Sequence, residues 1–316
     1  MEKLEKKLRD TVRKLLSDGK VELVLGFQAG TVPGRTRPCF VRRAEDADKL
    51  VWNDRCSNNL AVYLPELFRK KSVRRGEDPP PPPDIGIVVK GCDALSIAVL
   101  VREKQVPREH LVVIGMPCQG VVDAETGETL PSCIECRQPV AEGADIQIDG
   151  PSREASTAPF AGVDALEKKS LRERREYFVA EMSKCIRCYA CRDVCPNCYC
   201  EICFADRTDP RWVEPGDDLS DTIVYHLGRM FHQAGRCTGC GACSRACPVG
   251  VDLRTFTNKL VKDSKDLFDF DIGFSPDETE LLSSFESEDS DEFITDPDKG
   301  EPEKGQTPKR AEKTNR

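Results

Sequence analysis

The sequence predicts an α/β N-terminal domain with a partly parallel sheet, a cysteine-rich C-terminal domain that is α+β or mainly helical, and a disordered acidic tail. Three observations lead there. A strand–helix–strand pattern of apolar runs occupies residues 84–118, one cysteine spacing occurs twice after residue 184, and the negative charge gathers after residue 270. From residue 271 on, fourteen acidic side chains face six basic ones, which accounts for the whole formal charge of −8. That segment is poor in apolar residues and cannot offset its ordering entropy, so residues 266–316 are expected to be disordered.

In chain order, Leu4, Leu8, Val12, Leu15 and Leu16 share one face of a helix that Gly19 ends. "VELVLGF" (21–27) reads as a strand, and "TVPGRTRP" as a turn-rich connection to a short strand at 39–42. "SNNLAVYLPELFRK" fits a helix capped by Ser57 that Pro65 breaks or restarts. Pro79 to Pro83 form a stiff spacer. Beyond it, a strand at 85–89, a helix at 93–104 and a strand at 111–114 make a βαβ unit, and runs this apolar fit a parallel sheet covered by helices. Cys92 and Cys118 each follow the C-terminal end of a strand, the edge where open α/β sheets gather their ligands. The spans are residues 1–148 for this domain, 149–164 for a Pro/Ser/Gly-rich linker and 165–265 for the cysteine-rich domain. The latter opens with one long charged helix, "ALEKKSLRERREYFVAEMSK". Between the cysteine motifs, "SDTIVYHLGRMFHQAGRC" reads as a helix capped by Ser220 or Asp221, with no role assigned to its histidines.

Composition excludes several classes. The 316 residues are 32% charged and only 6% aromatic, with no basic stripe carrying interleaved aromatics, so nucleic-acid binding is not expected. No apolar run nears the roughly 20 residues of a membrane span, and the N-terminus carries no secretory h-region. The expected location is the cytoplasm. Seventeen cysteines without an export signal point to metal binding and away from disulfides.

Cys185, Cys188, Cys191 and Cys195 follow C-x2-C-x2-C-x3-C-P, and Cys237, Cys240, Cys243 and Cys247 repeat it. Three thiolates at successive x2 spacing come from one tight loop and grip three irons of a cube, while the fourth leads away. Zinc sites instead pair two C-x2-C knuckles. The two motifs resemble those of bacterial dicluster ferredoxins, whose fourth cysteine ligates the other cluster. The resemblance implies one 4Fe-4S cluster on Cys185, Cys188, Cys191 and Cys247, and a second on Cys237, Cys240, Cys243 and Cys195. Cys198, Cys200 and Cys203 form a C-x-C-x2-C array that either supplies a zinc or another cluster, or stands beside the first cluster as reduced thiols.

"WNDRCSNNLAVYL", "KGCDALSI", "VIGMPCQGVVD" and "CIEC" are similar in order and spacing to motifs of the beta subunits of coenzyme F-420-dependent hydrogenases and formate dehydrogenases, over roughly residues 20–140. The resemblance implies a third 4Fe-4S cluster with ligands drawn from Cys56, Cys92, Cys118, Cys133 and Cys136, together with a flavin, FAD or FMN. Here the linker starts soon after "CIEC", which leaves little chain for the segments that complete a flavin pocket, and no G-x-G-x-x-G fingerprint replaces them.

Joined to a dicluster ferredoxin, such a short domain resembles the electron-transfer subunits of heterodisulfide-reductase-like flavin complexes. The resemblance implies a subunit of a multi-subunit redox complex. It would relay single electrons between a dehydrogenase or hydrogenase module and that flavin core, without a substrate site of its own. The alternative is a flavin-containing oxidoreductase subunit that itself reacts with a soluble deazaflavin or nicotinamide. A zinc-stabilised scaffold is the non-redox reading, and metal analysis separates it from both.

Overall fold

The computed structural model describes residues 2–69, 80–274 and 281. Helix α1 (Glu2–Ser17) buries Leu8, Val12 and Leu15, the stripe expected from its periodicity. Strand β1 (Leu23–Ala29) pairs antiparallel with β2 (Thr36–Val41). A 3-10 turn at Leu60–Tyr63 then runs into α2 (Leu64–Phe68). The cap is Asn59 and not the expected Ser57, because the Asn59 side-chain oxygen accepts from the backbone N–H of Ala61 at 3.2 Å. Pro65 stands in the first turn of α2, where its missing N–H costs nothing.

Strand β3 (Ile85–Val89), α3 (Gly91–Arg102) and β4 (Leu111–Gly115) make the expected βαβ unit, with Ile85 opposite Leu111 and Val89 opposite Gly115 in parallel register. After α4 (Pro131–Ile134), the two-residue β5 (Ile146–Gln147) adds a further parallel strand that its sequence does not announce. The sheet order is β2-β1-β3-β4-β5, with β2 alone antiparallel. Its core is built on Val24, Leu25, Ile85, Ile87, Val88 and Ile114, with Leu8, Val12 and Leu15 of α1 in the same cluster.

The expected single charged helix at the start of the second half is two helices, α5 (Ala161–Glu167) and α6 (Leu171–Met182). Ser170 divides them. Its hydroxyl accepts from the Glu173 N–H at 3.3 Å while the Glu173 carboxylate accepts from the Ser170 N–H at 2.8 Å, a reciprocal cap that starts a new helix. The rest is helical, α7 (Ala190–Asp193), α8 (Leu219–His232), α9 (Ala242–Ala246) and α10 (Leu253–Phe268), with no strand after β5 among the described residues. Asp218 caps α8 in place of the expected Ser220 or Asp221, accepting from the Ser220 N–H at 2.9 Å.

Residues 266–274 differ from the expected disorder. Helix α10 runs to Phe268, and Phe270 and Ile272 are buried against Val99 of α3 and Val261 of α10. Apart from Leu281, the remainder of the expected tail lies outside the described residues, as does Pro79 of the spacer. Met1–Leu281 form one compact unit, so the two halves share an interior. Among the described residues no helix is long and apolar enough to cross a membrane.

Candidate iron–sulfur sites

The two repeated motifs fold alike. In each, the residues two and four positions after the first cysteine take left-handed backbone conformations: Arg187 (φ 52°) and Tyr189 (φ 61°) in the first, Gly239 (φ 71°) and Gly241 (φ 72°) in the second. Such a loop carries the first two cysteines and leads into a short helix, α7 or α9, that carries the third. Glycine takes this conformation freely, whereas a side chain costs about 1–2 kcal/mol. In the first loop Arg187 and Tyr189 hold one another, the Arg187 guanidinium donating to the Tyr189 hydroxyl at 2.8 Å.

The first site is a cavity lined by Cys185, Cys188, Cys191 and Cys247. The second is lined by Cys195, Cys237, Cys240 and Cys243. The crossing of fourth cysteines between motifs is thus present in the way the cavities are lined. Backbone N–H groups already point at the sulfurs, from Arg187 to Cys185 Sγ and from Val251 to Cys247 Sγ, both at 3.3 Å. Burial raises the thiol pKa of Cys185, Cys191 and Cys237 and pushes that of Cys243 up to about 12. Burial thus favours the protonated form of these four thiols, and a positively charged partner is needed to hold them as thiolates.

Helix α8 lies across both cavities, and its contribution is hard to read from sequence. His226 is buried with Nε2 3.2 Å from Cys185 Sγ, and burial pushes its pKa down to about 4, so the ring is neutral. Arg229 donates to the Cys191 carbonyl at 2.9 Å and lines the second cavity. Gln233 accepts from Cys195 Sγ at 3.6 Å and donates to Cys198 Sγ at 3.3 Å. The i, i+3, i+7 spacing of these three was the available signal, but polar residues at such spacing ordinarily mark a solvated face.

A third cavity lies at the C-terminal edge of β3 and β4, lined by Cys92, Cys118, Cys133 and Cys136, with Cys240 of the second motif in its wall. Cys92 is the second residue of α3 and Cys118 follows β4, while Cys133 lies in α4 with its sulfur accepting from the Val121 N–H at 3.2 Å. Cys56 does not line this cavity. It is 1% exposed within the core, where burial pushes its thiol up to about 11, and its neighbour Ser57 reaches the cavity instead. Lys90, buried beside the site, keeps its charge: burial opposes it, but Asp93 at 2.9 Å prevails. Cys39, assigned no role from sequence, packs in the sheet core.

Cys198, Cys200 and Cys203 line none of the three cavities. A hydrogen bond with Cys195 lowers the Cys198 pKa and raises that of Cys195, while Cys200 is exposed and Cys203 precedes a 3-10 turn.

The donor sets fit iron–sulfur cubes better than single ions. Among the described residues no three His, Cys, Asp or Glu side chains converge to hold one metal ion; the cysteines surround a space. Each cavity is also lined by an arginine with a buried N–H that has no partner among the described residues: Arg187 at the first, Arg229 at the second, Arg137 and Arg153 at the third. A buried donor left alone costs about 1–3 kcal/mol, and sulfur acceptors within these cavities would satisfy it.

Fold and site together mark an iron–sulfur protein, and residues 181–251 match the family described as 4Fe-4S dicluster domain. The chain also resembles F420-dependent formate dehydrogenase beta subunits. It is 30% identical to the F420-dependent formate dehydrogenase subunit beta of Methanocaldococcus jannaschii over 94 residues, 30% of this chain and 23% of that one. It is 41% identical over 54 residues to the F420-dependent formate dehydrogenase 1 subunit beta of Methanococcus maripaludis, 17% of this chain and 13% of the relative. The polyferredoxin protein MvhB of Methanothermus fervidus is 31% identical over 104 residues, 28% of this chain and 23% of the relative. The chain matches less than a quarter of the length of each of these curated relatives.

Proposed function

We propose that the chain is an electron-transfer subunit holding three 4Fe-4S clusters. It would serve between a dehydrogenase or hydrogenase module and a heterodisulfide-reductase-like flavin core. The proposed ligands are Cys185, Cys188, Cys191 and Cys247 for the first cluster, Cys195, Cys237, Cys240 and Cys243 for the second, and Cys92, Cys118, Cys133 and Cys136 for the third. Cys56 is left to the core. The clusters supply reversible one-electron storage with little atomic movement. The protein's part is to bury the thiolates, aim N–H groups and arginines at sulfur, and keep water out.

The observation that carries this reading is the sharing of walls. Thr238, Gly239, Cys240 and Arg254 line the second and third cavities alike. Arg229, which lines the second, also bonds the backbone of Cys191, whose sulfur faces the first. Three cysteine-lined cavities, the second and third sharing Cys240, thus lie in series through one compact unit. The similarity to formate dehydrogenase beta subunits supports a place in a complex of that type, and the module on either side is proposed from it.

The test is cysteine replacement followed by iron analysis. Cys92→Ser should remove about four irons, one cube's content, and Cys56→Ser none. Loss of iron in Cys56→Ser with none lost in Cys92→Ser would overturn the ligand set of the third site.

A further inference from the structure

The wall between the second and third cavities contains an ion pair. Arg254, in the first turn of α10, lines both cavities, and its guanidinium bonds the carboxylate of Glu135, which lines only the third. Glu135 stands between Cys133 and Cys136. The two side chains are 11% and 13% exposed, so solvent screens them little. Both are fixed in place. Arg254 Nε donates to the Gly239 carbonyl at 3.2 Å and its backbone N–H donates to Ser244 Oγ at 3.1 Å, while Glu135 accepts from the Gly162 N–H at 2.8 Å.

We propose that Arg254 and Glu135 are a potential-tuning pair that sets the energy step between the second and third sites. The inference rests on the three-site reading above. Arg254 is the charged side chain common to both linings, and its cation stabilises an added electron at either site. Glu135 is the carboxylate among the residues lining the third cavity, where Lys90, Arg137, Arg153, Arg245 and Arg254 supply the opposite charge. Its negative charge therefore opposes reduction at the third site more than at the second. With the pair intact, the third site is held below the potential that its five cations alone would give it. The pair moves no proton and forms no bond; it acts through charge at fixed distance, which in a poorly screened interior is worth several times its value in water.

The experiment is a redox titration of the full-length, cluster-loaded chain followed by electron paramagnetic resonance, with the first site as internal reference. Glu135→Gln keeps the side chain's shape and removes its charge. It should favour the electron on the third site over the first at least tenfold, which is 59 mV for a one-electron couple. Arg254→Gln should shift both the second and third sites the other way relative to the first, and Arg254→Lys, which keeps the charge, should restore most of the difference. A purely structural staple would lose iron or leave the differences unmoved. If Glu135→Gln retains its iron and the third site stays within twofold of its original balance with the first, the proposal is overturned. Should Arg254→Gln lose iron, the Glu135→Gln arm alone decides. About eight irons in the unaltered chain would instead sink the three-site reading, and this proposal with it.

Discussion

At the residue scale, a few side chains decide what the cysteines can do. Cys188 is a proposed ligand of the first cluster and Cys240, in the wall between the second and third cavities, of the second, so Cys188→Ser and Cys240→Ser should each cost about four irons, and the two losses should add. Retention of full iron in both would break the assignment. His226 tests the surroundings of the first site. With its ring neutral and 3.2 Å from Cys185 Sγ, it contributes a hydrogen bond worth on the order of 1 kcal/mol to the reduced state. His226→Phe should lower the potential of the first site alone with iron content unchanged, as read by redox titration. The cysteine motifs were legible as a pattern because spacing alone encodes a loop that grips a cube. His226, Arg229 and Gln233 were not, because nothing in a helix's polar residues says which of them a neighbouring loop will cover.

At the element scale, the structure shows how few residues separate one helix from two. Ser170 and Glu173 spell a capping box, yet the flanking charged residues read as one helix, since helix propensity without a tertiary partner cannot choose between them. Strand β5, two residues long, pairs through Ile114 opposite Ile146, which no periodicity of that length announces. The βαβ unit, by contrast, was readable because its strands are apolar on both faces and buried throughout in β3. Helix α8, with the Gln233 that ends it, brings His226, Arg229 and Gln233 to the cluster cavities and is started by Asp218. Asp218→Ala should therefore destabilise the chain by about 1 kcal/mol in urea unfolding. Gly241 tests the second loop more sharply. Its φ of 72° and an added Cβ only 2.8 Å from Ser132 Cβ make Gly241→Ala costly on both counts, by about 1–2 kcal/mol for the backbone alone. Iron loss confined to the second site, or shared with the third across that contact, is the expected readout.

At the scale of the whole molecule, the sequence suggested two domains joined by a linker, and the contacts bind the halves closely. Val99 of α3 packs with Val261, Phe270 and Ile272, Arg236 pairs with Glu103 at 2.7 Å, and Arg245 donates to the Ser57 carbonyl at 2.8 Å. Composition could not reveal this, because a Pro- and Ser-rich connection reads the same whether its flanking parts touch or not. Phe270→Ala should cost about 3–5 kcal/mol and lower the stability of both halves together, seen as one shifted transition in thermal unfolding of the loaded chain. Two separate transitions with only one displaced would contradict a shared interior. The same joining places the third cavity against the second, and with it the continuity on which electron transfer depends. The most direct test of the account is therefore a count of iron and acid-labile sulfide in the full-length chain prepared without oxygen. About twelve of each per chain is the predicted result; zinc in their place, or protein free of sulfide, would contradict it.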